Sequence, residues 1–435
     1  MKLLLIQPSH FKPDGSVFKS NKLIYPGLAL PLIAGMSPRD WEIELLNDYS
    51  EEVTGGESAD LVAISSMTPQ AVRGFDIARK FRARGVPVVM GGFHGSLYPD
   101  EAAKECDALV MGEAEYLWPE LVRDFQSNGL KKIYKSDRIV DLADVPIPRY
   151  DLIKSSGYAL SKVRPAQTTR GCPHKCEFCS VHRFFGGKYR HRPVNLVLED
   201  LKAANTRHIF FVDDNIAAHR KYALELFKAL EPLHLYWGSQ CNITVAKDIE
   251  LLRAASRAGC FSLFLGVESI NPESLKRFGK SFNKVEDYVQ AFKTIKAAGI
   301  EPMVSMIMGL DGDGPETFAA SLRFLVKNKI PIAYVFILTP APGTPLFDRF
   351  IAEGRLFSTD WNRYGGDEAV FYPENYSPET LEKEFWKLLK SFYSLKSIFV
   401  RFFLPFHFSK RRIVALKYNL LHRASLARNI HPLRG

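Results

Sequence analysis

Long hydrophobic runs are scarce in this 435-residue chain. The opening apolar run, residues 1–6, stops at Gln7 and Pro8, too short for a signal-peptide core, and the run over 23–36 is broken by Pro26 and Pro31. A spanning helix needs about 18 uninterrupted apolar residues, so none is expected and the chain reads as cytoplasmic. Cysteine is scarce too. Three of the six cysteines share one eight-residue window and the rest are scattered, which excludes the even framework of a secreted disulfide protein and fits a reducing compartment. No repeat of fixed period is present. With 46% hydrophobic and 24% charged residues the composition is globular rather than disordered or fibrous, and the length calls for more than one core. The net charge of +10 gathers largely near the C-terminus, and no recognised nucleic-acid motif accompanies it, so nucleic acid is not an expected partner.

What is there is an alternation of short apolar runs with helical stretches. Runs at 3–6, 42–46, 61–64, 88–90 and 108–111 predict a doubly wound, Rossmann-like α/β domain over 1–134 with a parallel sheet. Residues 135–165, with Pro146, Pro148 and Pro165, read as a linker. Strand candidates at 166–169, 209–212, 235–239, 262–267, 303–308 and 333–339 predict a second α/β domain over 166–355, a partial (β/α)6 barrel with its chemistry at the strand C-termini. A helical extension follows over 356–435, with a helix at 378–392 and a basic, aromatic tail from Lys396.

The cysteine window follows directly on one of these strands: Thr169-Arg170-Gly171-Cys172-Pro173-His174-Lys175-Cys176-Glu177-Phe178-Cys179. Three thiolates on one loop hold three irons of a cubane and leave the fourth iron open to a small molecule. The competing reading is a structural zinc site completed by His174 or His182. Cys241 and Cys260 read as small buried hydrophobes rather than as a second cluster.

This window, its spacing and its strand order resemble the radical S-adenosylmethionine (SAM) superfamily over about 166–355. The resemblance implies that Cys172, Cys176 and Cys179 bind a [4Fe-4S] cluster whose open iron chelates SAM, and it implies no catalytic residue beyond these ligands. It places Phe178 against the adenine. Asp213 and Asp214, in Phe211-Val212-Asp213-Asp214-Asn215, would receive the SAM ammonium. Ser239 and Gln240 after the third strand, and Glu268 after the fourth, would meet the ribose or the methionine carboxylate. Met308-Gly309-Leu310-Asp311-Gly312-Asp313 resembles the adenine loop of the fifth strand. Polar residues at strand ends are more often turns or caps, so it is their joint register that counts.

Residues 1–134 resemble the cobalamin-binding domain of the B12-binding class of the same superfamily. Ser65-Ser66-Met67-Thr68 matches the element that receives the nucleotide tail, through Ser65 and Thr68, and Gly91-Gly92-Phe93-His94 matches its paired glycines. Gly112-Glu113-Ala114-Glu115 is a further matching segment. The Asp-x-His-x-x-Gly element that supplies a lower axial histidine is absent, since Gln7-Pro8-Ser9-His10-Phe11-Lys12 stands there, so His10 reads as a loop histidine.

Together these resemblances imply an enzyme that cleaves SAM to a 5′-deoxyadenosyl radical and methylates an unactivated carbon with cobalamin. Its substrate would be apolar, lipid-like, tetrapyrrole-like or another natural product. Radical cyclisation, oxidation or rearrangement is the enzymatic alternative, and a non-catalytic cobalamin or iron-sulfur sensor the other class. A flavodoxin- or ferredoxin-type reductant is the implied partner. The tail, Lys396-Ser397-Ile398-Phe399-Val400-Arg401-Phe402-Phe403-Leu404 and then Lys410-Arg411-Arg412, suits either peripheral contact with an anionic membrane or a helix packed across the second domain.

Overall fold

The computed structural model describes residues 1–20, 26–154, 158, 162–404 and 410–433. The start of the 23–36 run, part of the expected linker, residues 405–409 and 434–435 of the tail and the Lys410 side chain lie outside the described residues. Two six-stranded parallel sheets carry the molecule.

The first sheet comprises β1 (Lys2–Gln7), β2 (Glu42–Asn47), β3 (Leu61–Ser65), β4 (Val88–Gly91), β5 (Ala108–Met111) and β6 (Ile133–Lys135), in the order β2-β1-β3-β4-β5-β6. Alternate side chains of these apolar runs serve two cores, as a sheet covered on both faces requires. Leu3, Leu5, Leu61, Ala63 and Val110 pack with Trp41, Trp118 and Leu121 on one face. Leu4, Ile6, Val62, Ile64 and Met90 face a larger core continuous with the second sheet. Because β1 pairs with both β2 and β3, the winding reverses there, and a crevice opens beyond the strand C-termini. β6 was not foreseen, since three residues with an exposed, buried, exposed pattern carry too little periodicity to read.

The second sheet runs β7 (Arg164–Ala166), β10 (His208–Phe211), β11 (Tyr236–Cys241), β12 (Cys260–Glu268), β13 (Glu301–Met308) and β14 (Ile332–Ile337) in sequential order, with β7 and β14 as its edges. The expected strand over 166–169 is in fact two pieces. After β7 the chain leaves the sheet, and β8 (Thr169–Arg170) pairs antiparallel with β9 (Arg190–His191), so the cysteine loop is an excursion closed by its own short ladder. The Asp213 carboxylate causes the break by taking the Thr168 and Thr169 N–H groups at 2.7 and 3.0 Å, which removes them from any ladder.

The expected helix lies at Pro378–Phe392, capped by the Ser377 hydroxyl, which accepts from the Thr380 N–H. Helices Leu395–Phe403 and Lys410–Leu426 follow, and Ile398, Phe402 and Ala415 pack on Ile332 and Tyr334 of β14. Arg401 is buried among carbonyls, donating to Ile330, Pro331 and Phe392 oxygens and to Asn419 Oδ1. No helix among the described residues is long and apolar enough to cross a membrane.

Candidate active site

The cysteine loop sits where the two sheets meet, and buried charge on every side holds it. Arg170, two residues before Cys172, donates to Glu113 (2.7 Å), Glu115 (2.5 Å) and Gln167 (2.7 Å). Glu113 also accepts from Arg190 at 2.8 Å, so the first sheet's Gly112–Glu115 turn grips both strands of the ladder beneath the loop. On the second sheet's side Asp213 is fully buried, accepting from the Thr168 hydroxyl as well as the two amides, while Asp214 accepts from the Gly171 N–H at 2.9 Å. Burial pushes the Asp213 carboxyl up to about 7 and Asp214 up to about 6, against the donors that oppose it.

The far end of the loop is pinned too. Glu177 pairs with Arg349 at 2.7 Å, and its N–H donates to the Phe278 carbonyl at 3.2 Å. Burial pushes the Cys176 thiol up to about 11 and Cys179 up to about 12; Cys172 is raised by the same cause, with the Asn215 side chain opposing. No three His, Cys, Asp or Glu side chains among the described residues converge tightly enough to hold one metal ion. A cubane makes a different demand, because each thiolate binds its own iron. His174, the alternative zinc ligand, stacks on Phe282 with centroids 3.8 Å apart.

Beside the cysteines lies a buried ion pair. Lys280 Nζ sits 2.6 Å from Glu268 Oε1, and Ser305 donates to Glu268 Oε2 at 2.9 Å. Burial of Lys280 favours its neutral form, but the Glu268 carboxylate outweighs that and raises the Lys280 ammonium above its ordinary value. Glu268 has φ +65°, a left-handed conformation that a non-glycine residue adopts only when its surroundings impose it. Phe178 lies 5.9 Å from Lys280 Nζ and 6.3 Å from Phe278. The Asn215 Oδ1 accepts from the Asn242 N–H at 3.4 Å. Ser239 spends its hydroxyl on the Phe211 carbonyl, and the Gln240 carbonyl accepts from the Ile216 N–H. Ser239 and Asp213 therefore direct their polar atoms into the protein fabric, whereas Phe178, Glu268 and Lys280 gather near the cysteines.

The crevice of the first sheet forms a cleft of about 360 Å³ between the sheets, lined by Ser65, Gly91, Gly92, Glu113, Glu115 and Arg170 among mostly apolar neighbours. Gly92 is required there: at φ +94°, a Cβ would lie 2.6 Å from the Ser66 carbonyl. Ser66 Oγ is buried without a partner. Phe93 stacks on Phe184 at 4.1 Å, which joins the glycine turn to the helix Ser180–Phe184 just after Cys179. Thr68 instead opens a short 3₁₀ helix and is not among the lining residues. His10 is buried against Phe18, with centroids 4.6 Å apart, and no histidine is among the described residues that line the cleft.

Residues 166–325 match the Radical SAM superfamily. A bacteriochlorophyllide d C-12(1)-methyltransferase of Chlorobaculum tepidum is 29% identical over 92% of this chain and 89% of that protein. An uncharacterized methyltransferase of Synechocystis sp. is 31% identical over 82% of this chain and 69% of that one. The chain belongs to the radical SAM superfamily. Its fold is also that of the cobalamin-dependent S-adenosylmethionine radical enzyme OxsB, solved with aqua-cobalamin and S-adenosylmethionine bound, at a TM-score of 0.70 and 15% identity over 98% of this chain and 71% of that one. As a radical SAM enzyme the chain uses a [4Fe-4S] cluster and SAM.

Arg170, Lys280, Ser305 and Arg349 were not singled out from the sequence. Arg170 lay inside the quoted window, but its partners are 57 and 55 residues away. The clamp makes a direct prediction. Arg170→Met strands the nearly buried Glu115 carboxylate, leaves Glu113 with Arg190 alone, and costs about 3 kcal/mol in chemical denaturation. Adding Glu115→Gln, which removes the stranded charge while Glu113 keeps Arg190, recovers most of that loss. A loss below about 1 kcal/mol would class the pairs with screened surface contacts.

Proposed function

We propose that this radical SAM enzyme is a cobalamin-dependent methyltransferase acting on an unactivated carbon of an apolar small molecule, tetrapyrrole-like or lipid-like. Its supporting observation is that the cysteine loop and the glycine-turn cleft share a wall, made of Arg170, Phe93 and Phe184. In this reading the chain divides into a cobalamin-binding unit over 1–134, a linker over 135–165, a partial radical SAM barrel over 166–355 and a helical extension over 356–435. The methyltransferase name of the Chlorobaculum relative, and its near full-length match, favour methyl transfer to a tetrapyrrole-like acceptor.

Cys172, Cys176 and Cys179 hold the cluster, which when reduced supplies the electron that cleaves SAM. Their protons must leave as iron binds, since burial keeps the free thiols protonated at neutral pH. Lys280 offsets the negative charge of the thiolates. Phe178, Asn215, Gln240 and the Glu268–Lys280 pair contact SAM, while Asp213, Asp214 and Ser239 hold the backbone that presents these groups. Cobalamin, as methyl donor, would be held in the cleft, with its nucleotide tail passing Ser65, Ser66, Gly91 and Gly92, where the unpartnered Ser66 hydroxyl supplies a hydrogen-bonding group. The apolar lining excludes water from the radical. Electrons come from a flavodoxin- or ferredoxin-type reductant.

Cys172→Ala, Cys176→Ala or Cys179→Ala should each abolish cluster iron, sulfide and SAM cleavage, whereas Cys106→Ala, Cys241→Ala and Cys260→Ala keep them. In reduced reconstituted protein supplied with cobalamin and bacteriochlorophyllide d, S-adenosylhomocysteine should form alongside 5′-deoxyadenosine. 5′-Deoxyadenosine without S-adenosylhomocysteine, at any cobalamin level, would make the chain a radical oxidase, cyclase or mutase instead. Stoichiometric zinc without sulfide would overturn the cluster assignment.

No imidazole lines the cleft among the described residues, which sets one further outcome. Bound Co(II) cobalamin should be base-off, without nitrogen superhyperfine splitting in its EPR spectrum, and His10→Ala should leave that spectrum unchanged. A splitting lost in His10→Ala would contradict the assignment.

A further inference from the structure

Residues 385–435 contain eleven of the chain's 58 Lys and Arg and none of its 48 Asp and Glu, leaving 47 basic against 48 acidic residues elsewhere. The whole net charge of the protein therefore lies in its last 51 residues. Among the described residues of this segment, Ile398, Phe402 and Ala415 pack on β14, and Arg401 is sealed beneath them.

The outward face is apolar where solvent would favour polar residues. Leu395 is 59% exposed, Phe399 55% and Leu404 51%, and the Phe399 and Phe403 rings stack at 5.6 Å. Leu395, Phe399 and Phe403 recur every fourth residue, so they form one stripe along their helix. On the helix Lys410–Leu426, Val414, Leu420 and Leu421 are likewise exposed around Lys417. Next to the stripe runs a shallow groove of Lys383, Trp386, Lys387, Lys390, Ser394 and Asn429. It reaches from Ser394, the N-cap of the helix Leu395–Phe403, to Asn429, which accepts from Lys390 Nζ at 2.9 Å. Glu384 pairs with Lys387 at 2.9 Å beside this groove.

We propose that this face is a docking surface for an anionic lipid bilayer, on which the enzyme lies rather than spans. Exposed aromatic and aliphatic side chains enter the acyl boundary, and the lysines and Trp386 of the groove meet the headgroup layer. A second protein would need acidic complementarity to a segment with no acid of its own, whereas a bilayer supplies both anionic charge and an apolar phase. Docking goes beyond methyl transfer and is read without turnover, so its failure and that of the catalytic reading are distinguishable.

Cosedimentation of the full chain with phosphatidylcholine vesicles, with and without phosphatidylglycerol, tests it. Binding should be roughly tenfold or more tighter to the phosphatidylglycerol vesicles, and high salt should remove that difference. The triple variant Leu395→Ser, Phe399→Ser, Leu404→Ser and the charge variant Lys390→Glu, Lys396→Glu, Lys417→Glu should each weaken it by roughly tenfold. Both should keep the parent's circular dichroism and thermal midpoint. Equal binding to the two vesicle types, or none, overturns the proposal. So does a concentration-dependent dimer that the serine variant dissolves while vesicles stay unbound, since the stripe would then join two copies of the chain.

Discussion

The site depends on two buried side chains that act on the chain just ahead of the first cysteine. Asp213 takes the Thr168 and Thr169 amides and turns the chain out of the second sheet, and Arg170 then ties it to Glu113 and Glu115 of the first. Neither could stay buried without these partners, because an unpaired ion or an unsatisfied polar group in a protein interior is costly. Each is stable only while the loop keeps its path. The cysteine loop is thus held by electrostatics from both sheets as well as by packing, which suits a loop whose ligands must converge on one cofactor.

The same clamp makes the two sheets interdependent. Glu113, Glu115 and Arg170 also line the cleft, so whatever fills the cleft lies against the groups that position the cysteines. The stacked Phe93 and Phe184 rings add a second, apolar tie. Lys280 has the corresponding place on the opposite side. Its charge survives burial because the Glu268 carboxylate pairs with it, and the left-handed Glu268 is the local strain accepted for that pairing.

Much of this was legible in the sequence because it is local. Apolar runs of strand length marked five strands of the first sheet, and the 3-2 spacing of the cysteines marked the loop. The Gly91–Gly92 pair marked the turn where a Cβ would strike Ser66. What could not be read rests on distance in sequence. The partners of Arg170, Glu177 and Glu268 lie 57, 172 and 12 residues away, and nothing at either end announces them. The break within 166–169 escaped because Asp213, 45 residues on, creates it by drawing off two amides. The tail looked like either a packed or an interfacial helix, and it has one face packed and the other exposed.

The central claim is that three thiolates leave one iron of the cluster open for SAM. EPR spectroscopy of the reduced, reconstituted protein tests it directly, with spectra recorded before and after SAM is added. The account predicts that SAM shifts the signal of the reduced [4Fe-4S] cluster, as its amino and carboxylate groups join the open iron. A reduced-cluster spectrum that SAM leaves unchanged would mean that the protein itself closes the fourth iron, and would contradict the account.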